Sequence, residues 1–434
     1  MKTPNVNIKD LLKVFGFLRN NLALLVPILI AVVALLLFVP TTLLSGRLRH
    51  KIKSDSVDVA RQIDSLVQEV AEAAQAEALE PYIEAYAQDA NAIEDAIRQT
   101  TLRELLDYRV FADPNQTSQL VFDPFRRKYL EAVEAMLERV KAGDPPTDVE
   151  IYAALEASRA TSGRGRTGMT RAGTSAGRLN VRGMSPLDRK IVEKICEDRA
   201  KTIKVYINPI DLGGYLYWSE WKFEDWDKAI RDSWYWQMAY WMLEDVLTTV
   251  EQMNKDADHV LRSPVKRVMN VQFTQTRTGR VTIGRSRRAT AARDKQTPTY
   301  VTNVRNAMSA TPCTGRFSSP AEDAVMDVMH FQVTVIVRAA EVMHFMQELC
   351  SAKTHKFRGW FGDQPEQTYQ HNQISILESA SGPVDREHFD HSSFQYGEDE
   401  VVSLDLICEY VFHVPAYAAI QPKVVADDIA GTGK

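Results

Sequence analysis

Few residues in this chain have types and spacings that could do chemistry. GRGRTG at 163–168 has the form G-x-G-x-x-G, which holds a dinucleotide only where it joins a strand to a helix and its amides face the pyrophosphate. GTSAG at 173–177 has the form G-x-S-x-G, in which Ser175 would be a nucleophile only on a strained strand-to-helix turn. Both lie in low-complexity sequence with neither element beside them, so neither reads as a site. His388-x-x-His391, with Glu387 and Asp390 alongside, could offer a metal two imidazoles from one helical face. Pro383 upstream and Ser392-Ser393 downstream mark a hairpin loop instead. His330 and His344 flank apolar elements, as structural histidines do. The four cysteines, Cys196, Cys313, Cys350 and Cys408, show no CxxC and no zinc spacing. No catalytic, metal-binding or cofactor-binding set survives this reading, so the chain is expected not to be an enzyme and to take no cofactor.

Aromatic residues are the other conspicuous feature. Six of the seven tryptophans fall between Trp218 and Trp241. Trp226, Trp234 and Trp241 share one helical line with Ile230, Met238, Met242, Val246 and Val250, which reads as a core face. Trp218, Trp221, Tyr235, Trp236 and Tyr240 fall off that line. They have two readings, core packing or anchors for a partner.

The elements that must position such residues begin with a membrane segment. No charged residue occurs from Leu22 to Leu44, and about 20 apolar residues suffice to span a bilayer as a helix. The spacing predicts an uncleaved transmembrane helix at 22–44. A cytoplasmic N-terminus at 1–21 and an extracytoplasmic bulk from 46 onward are expected to flank it. Beyond it Val59, Ile63, Leu66, Val70 and Ala73 follow a 4-3 repeat, the signature of a coiled-coil seam. It stops at Glu77, shortly before Pro81. A helical stalk region is expected over 45–158, with Thr147-x-x-Glu150 as a capping box.

Residues 159–184 hold six arginines and no acid, and 275–295 hold seven basic residues and one acid. Both read as basic loops, the first a linker, the second part of an insertion at 275–319. The rest of the chain is therefore strongly acidic, since the whole carries only −5. That balance excludes a nucleic-acid binder as a class. The 45% hydrophobic and 25% charged fractions of the 434 residues exclude collagen and wholesale disorder.

A domain at 185–414 is better patterned, with a tail at 415–434. Ser185-Pro186-x-Asp188 opens a helix. Ile203, Val205 and Ile207 alternate as a strand. So do Val265, Arg267, Met269, Val271 and Phe273, and then Phe331, Val333, Val335 and Val337. Val342, Phe345, Met346 and Leu349 mark a short helix, Ile374 and Ile376 a strand. Val402, Leu404, Leu406, Cys408, Tyr410 and Phe412 alternate without a break and mark the clearest strand. Strand–helix–strand followed by strand–helix–strand–strand predicts two split βαβ halves, an α+β ferredoxin-like domain with a mostly antiparallel sheet.

This sum resembles the PilO proteins of type IV pilus machines and the M-type proteins of type II secretion. The closest local match is FQVTVIVRAAEVMHFMQELCSA at 331–352, followed by NQISILES and VVSLDLICEYVFHV. Phe345, Met346 and Leu349 match that family's helix pattern. The resemblance covers about 22–75 and 186–412; the helices between 76 and 158 and both basic stretches are additions to it. It implies a single-pass, periplasm-facing structural component of the bacterial inner membrane. Such a component pairs as a homodimer or with a similar bitopic protein and takes no small-molecule substrate. A membrane-anchored ligand-binding sensor is the alternative, and 21 N-terminal residues leave no room for an output module. The contacts expected to carry pairing are Ile63, Leu66 and Val70 in the stalk, Trp218, Trp221 and Trp236 among the aromatics, and Met343 on the short helix. The edge of the final strand is expected to join them.

Overall fold

The structure, a computed structural model, describes residues 22–53, 58–111, 119–161, 184–273, 297–309, 312–321, 324–388 and 390–431. Residues 1–21, most of the linker at 159–184, both glycine motifs and the basic stretch at 275–295 lie outside the described residues. The chain forms two units, Met1–Ala92 and Ile93–Lys434.

Helix α1 (Leu22–Ile52) and most of helix α2 (Asp58–Thr100) belong to the first unit. Among the described residues no helix is long and apolar enough to cross a membrane. Helix α1 runs past its apolar stretch without a break, to Ile52. After Phe38 come Thr41 and Thr42, with hydroxyls donating back to the carbonyls of Leu37 and Phe38, and then Arg47, Arg49 and Lys51. The expected transmembrane helix at 22–44 is therefore corrected, and with it the inner-membrane, single-pass and periplasmic placement. Helix α2 runs through Pro81, although proline supplies no amide to the helical ladder.

The second unit contains, in order, α3 (Phe122–Arg139), β1 (Ala142–Gly143), α4 (Asp148–Thr161), α5 (Pro186–Ala200), β2 (Val205–Tyr206), α6 (Tyr215–Glu220) and α7 (Trp226–Met253). Strands β3 (Val265–Gln272) and β4 (Met326–Arg338) follow, then α8 (Val342–Leu349), β5 (Lys353–Phe357), β6 (Gln367–His371), β7 (Ile374–Pro383) and β8 (Val401–His413). The sequence signals at helix starts hold. Ser185 accepts from the Asp188 amide and Asp225 from the Lys228 amide. Thr147 and Glu150 bond each other's backbone amides reciprocally.

Six strands form one mixed sheet in the order β1-β2-β3-β4-β8-β7, and β5 and β6 form a separate hairpin. Phe331, Val333, Val335 and Val337 of β4 share one face with Leu404, Leu406, Cys408, Tyr410 and Phe412 of β8. Against that face pack Trp234, Met238, Trp241 and Met242 of α7, Phe345 and Leu349 of α8, and Phe125, Tyr129 and Val133 of α3. The opposite face has a smaller cluster around Ile336, Tyr206, Val260 and Tyr396. Residues 93–158 thus belong to the folded unit, not to a stalk ending at 158.

The α+β class holds, but the ferredoxin-like topology is corrected. Only the second half is a split βαβ: β4, α8 and β7, with β8 inserted between the two strands. In the first half β2 lies directly beside β3 and parallel to it. The reason is that β3 and β4 are already antiparallel neighbours, which leaves β3 one free edge for β2. Strand β8 is interior, paired over its length with β4 and then with β7, so it has no edge to offer a partner.

Strand β3 departs from simple alternation. Register shifts fall between Val265 and Arg267 and between Val268 and Asn270. Each bulge inserts a residue and resets which side chains face the core. Val265, Val268 and Val271 therefore enter the main core, while Met269 packs on the opposite face.

Candidate functional site

The residues singled out by sequence scatter. His388 and His391 lie in a loop after β7. The His391 ring is 2.9 Å from the Tyr396 hydroxyl, and burial pushes its pKa down to about 4. His388 Nδ1 lies 3.6 Å from an Asp390 carboxylate oxygen. No group of three or more His, Cys, Asp or Glu that could hold a metal occurs among the described residues. His344 is exposed beside Glu341, at 3.1 Å, whereas His330 is buried in the sheet.

Trp218 and Trp236 are corrected as partner anchors: both are buried in this unit's own core. Trp218 packs edge-on against Phe125 and Tyr217, and Trp236 against Tyr129 and Phe273. The cause is that α7 is covered on nearly all sides, by the sheet, α3 and α6, so one helical line understates its burial. Trp221 is half-buried between Trp218 and Phe223. Met343 is 73% exposed. Ile63 and Leu66 of α2 are 54% and 55% exposed, and the side chain of Val70 lies outside the described residues.

The strongest cluster of ionisable groups was not singled out by spacing. Arg103, fully inside the second unit, donates from Nη1 to Asp245 Oδ2 at 2.9 Å and to the Tyr410 hydroxyl at 2.7 Å. From Nη2 it donates to Glu244 Oε2 at 2.6 Å. The Tyr410 oxygen is also 2.9 Å from Asp245 Oδ2 and 2.7 Å from Gln373 Oε1; its single proton serves one of them at a time. Burial works against the guanidinium charge, but Asp245, Tyr410 and Glu244 outweigh it and hold the pKa well above its ordinary value. Tyr417 and Trp241 bind the neighbouring carbonyls of Thr101 and Glu104. On the β5–β6 hairpin, His355 and His371 stand with ring centroids 6.1 Å apart. Burial and the nearby Arg103 charge push His355 down to about 2 and His371 down to about 4. Both rings are therefore neutral at pH 7, and the adjacent guanidinium repels any cation that would join them. The cluster can hold the 101–107 segment, α7, β8 and the hairpin together. Its charges are spent on one another. The one local hint in the sequence is the Glu244-Asp245 pair interrupting the apolar run Met238–Leu247, since a buried acid requires a buried base.

A second polar array lies on the sheet's other face. Glu409, wholly buried, accepts from Arg316 at 2.9 Å and Thr314 at 2.7 Å, and His330 Nε2 stands 4.0 Å away. His330 Nδ1 accepts the Met308 amide at 3.1 Å. Burial pushes the His330 pKa down to about 4. Thr334 donates to Asp405 at 2.5 Å, and burial raises the Asp405 pKa. Among the described residues Asp405 Oδ2 and His330 Nε2 have no hydrogen-bond partner. Cross-strand register sets this row, His330 opposite Glu409 and Thr334 opposite Asp405.

Large apolar side chains stay open on both helices of the first unit: Leu35, Leu36, Leu37 and Phe38 of α1 and, beyond Ile63 and Leu66, Leu79, Tyr82, Ile83 and Tyr86 of α2. Comparison with protein-family models, with curated proteins and with solved structures finds no match.

Proposed function

We propose that this chain is a structural protein that binds partner chains through the exposed face of α2. The observation that carries the proposal is the contrast between the two units. In the second, charged and aromatic residues that could recognise a ligand are consumed by internal contacts, Arg103 by Glu244 and Asp245 and Trp218 by Phe125. In the first, large apolar side chains of both α1 and α2 stand in water, where association would bury them. Type IV pilus and type II secretion assemblies are the machines to which the sequence resemblance points. Pairing with a second copy or with a similar chain is the role it implies.

A photo-crosslinking side chain introduced at Ile63 or Leu66 of the full chain, in the producing cell, tests this. The expected result is a discrete covalent adduct with a polypeptide, absent when the same group replaces the buried Val250. Absence of any adduct at both α2 positions would overturn the proposal.

A further inference from the structure

The chemistry of the partner can be read from the charge along α2. Leu79, Ile83, Tyr86 and Ala90 are spaced 4, 3 and 4 residues apart, so they line one side of the helix as a second seam. This seam is offset from the one through Ile63 and Leu66. Its large members are exposed, Tyr86 by 74%, and Tyr82 widens the stripe. Together they form an exposed apolar stripe, the kind of surface that marks interaction sites.

The residues around the stripe carry one sign of charge. From Ala71 to Ala92 every ionisable group bar the tyrosines is an acid: Glu72, Glu77, Glu80, Glu84 and Asp89, with no Lys, Arg or His. Glu80 immediately follows the seam residue Leu79, and Asp89 immediately precedes Ala90, the positions that flank a helix pair and set partner choice. Glu80, Glu84 and Asp89 are exposed. Two copies of this stretch laid together would bring two segments that carry only acids into one interface, and like charges across an interface oppose pairing. A partner helix with an apolar seam flanked by lysines or arginines meets neither penalty.

Resting on the reading of α2 as the binding face, we propose that residues 79–92 dock an amphipathic helix of a different chain, basic along both flanks of its apolar seam. The seam gives burial and the acidic flanks give selection against self-pairing.

Two synthetic helical peptides of equal length and identical Leu/Ile seams, one flanked by lysines and one by glutamates, provide the test by fluorescence anisotropy with the full chain. The lysine peptide is expected to bind at least about tenfold more tightly at low salt, with the advantage shrinking as salt screens the flanks. Ile83→Asp combined with Tyr86→Asp, both at exposed positions, is expected to abolish that binding. Glu80→Lys with Asp89→Lys is expected to reverse the peptide preference. Equal binding of both peptides, binding of neither, or a preference unmoved by the charge swap would overturn the inference. So would a self-dimer of the unaltered chain that Ile83→Asp dissolves. Adducts at Ile63 or Leu66 without lysine-peptide binding would sink this inference and leave the broader reading standing.

Discussion

At the scale of residues, stability of the second unit depends on a few buried charges. Arg103 is satisfied by two carboxylates and a phenol. Replacing it with leucine strands Asp245, which is as deeply buried. Arg103→Leu is expected to cost about 3–5 kcal/mol, the usual penalty for breaking a buried pair from one side, as read by urea unfolding. A loss below about 1 kcal/mol would show that Asp245 finds another partner. Asp327 gives a pH signature of opposite sense to a salt-bridged acid. Burial raises its pKa from 3.8 to about 6, against hydrogen bonds from Ser318 and Gln421. The folded state therefore holds this proton more tightly than the unfolded state. Its stabilising effect is full below about pH 4 and is lost as pH rises through 6. Asp327→Asn has no proton to lose. Above pH 6 it is expected to be more stable than the parent by up to about 3 kcal/mol, at 1.36 kcal/mol per pKa unit, with the gap closing near pH 4. Unfolding curves at pH 4 and pH 8 check this; a gap independent of pH would refute it.

At the scale of elements, the entry to α6 is set by backbone geometry. Gly214 has φ +89° at the start of that helix. A Cβ there would lie 2.3 Å from the Tyr129 hydroxyl oxygen and 2.7 Å from the Trp236 ring. The same hydroxyl donates to the Gly213 carbonyl at 2.9 Å, so it cannot move without loss. Gly214→Ala is expected to destabilise the protein by about 2–3 kcal/mol through left-handed strain and steric overlap, as a lowered Tm. A substitution to alanine at Gly315, also at positive φ but with nothing near its Cβ, is expected to cost only the strain, about 1 kcal/mol. Equal effects at the two sites would show that contact with Tyr129 and Trp236 contributes nothing.

At the scale of the whole molecule, the division after Ala92 separates a helical unit with exposed apolar side chains from one with a continuous core. Residues 93–434 hold the six-stranded sheet and the helices on its main face, so they carry what a domain needs to fold alone. The isolated 93–434 fragment is expected to unfold in one cooperative thermal transition with an ordered near-UV aromatic spectrum. A broad, non-cooperative melt would mean that the core depends on the first unit.

Local pattern alone fixed much of this protein. The alternation Phe331–Val337 and Leu404–Phe412 identified β4 and β8 and the face each turns to the core. Ser185 and Thr147 marked helix starts, because caps act within three residues. Pro383 and Ser392-Ser393 placed His388-x-x-His391 in a loop. Tertiary structure decided what rests on pairing and coverage. Bulges in β3 rotated Arg267 and Met269 away from the predicted face, since one inserted residue reverses alternation. The order β1-β2-β3-β4-β8-β7 depended on which strand edges were still free, and it turned the expected edge strand β8 into an interior one. Trp218 and Trp236 became core because several elements converge on them, and helical periodicity reports only one direction of approach. Arg103 meets Asp245 and Tyr410 across 142 and 307 residues of sequence, and no local spacing encodes a contact that exists only once the chain has folded.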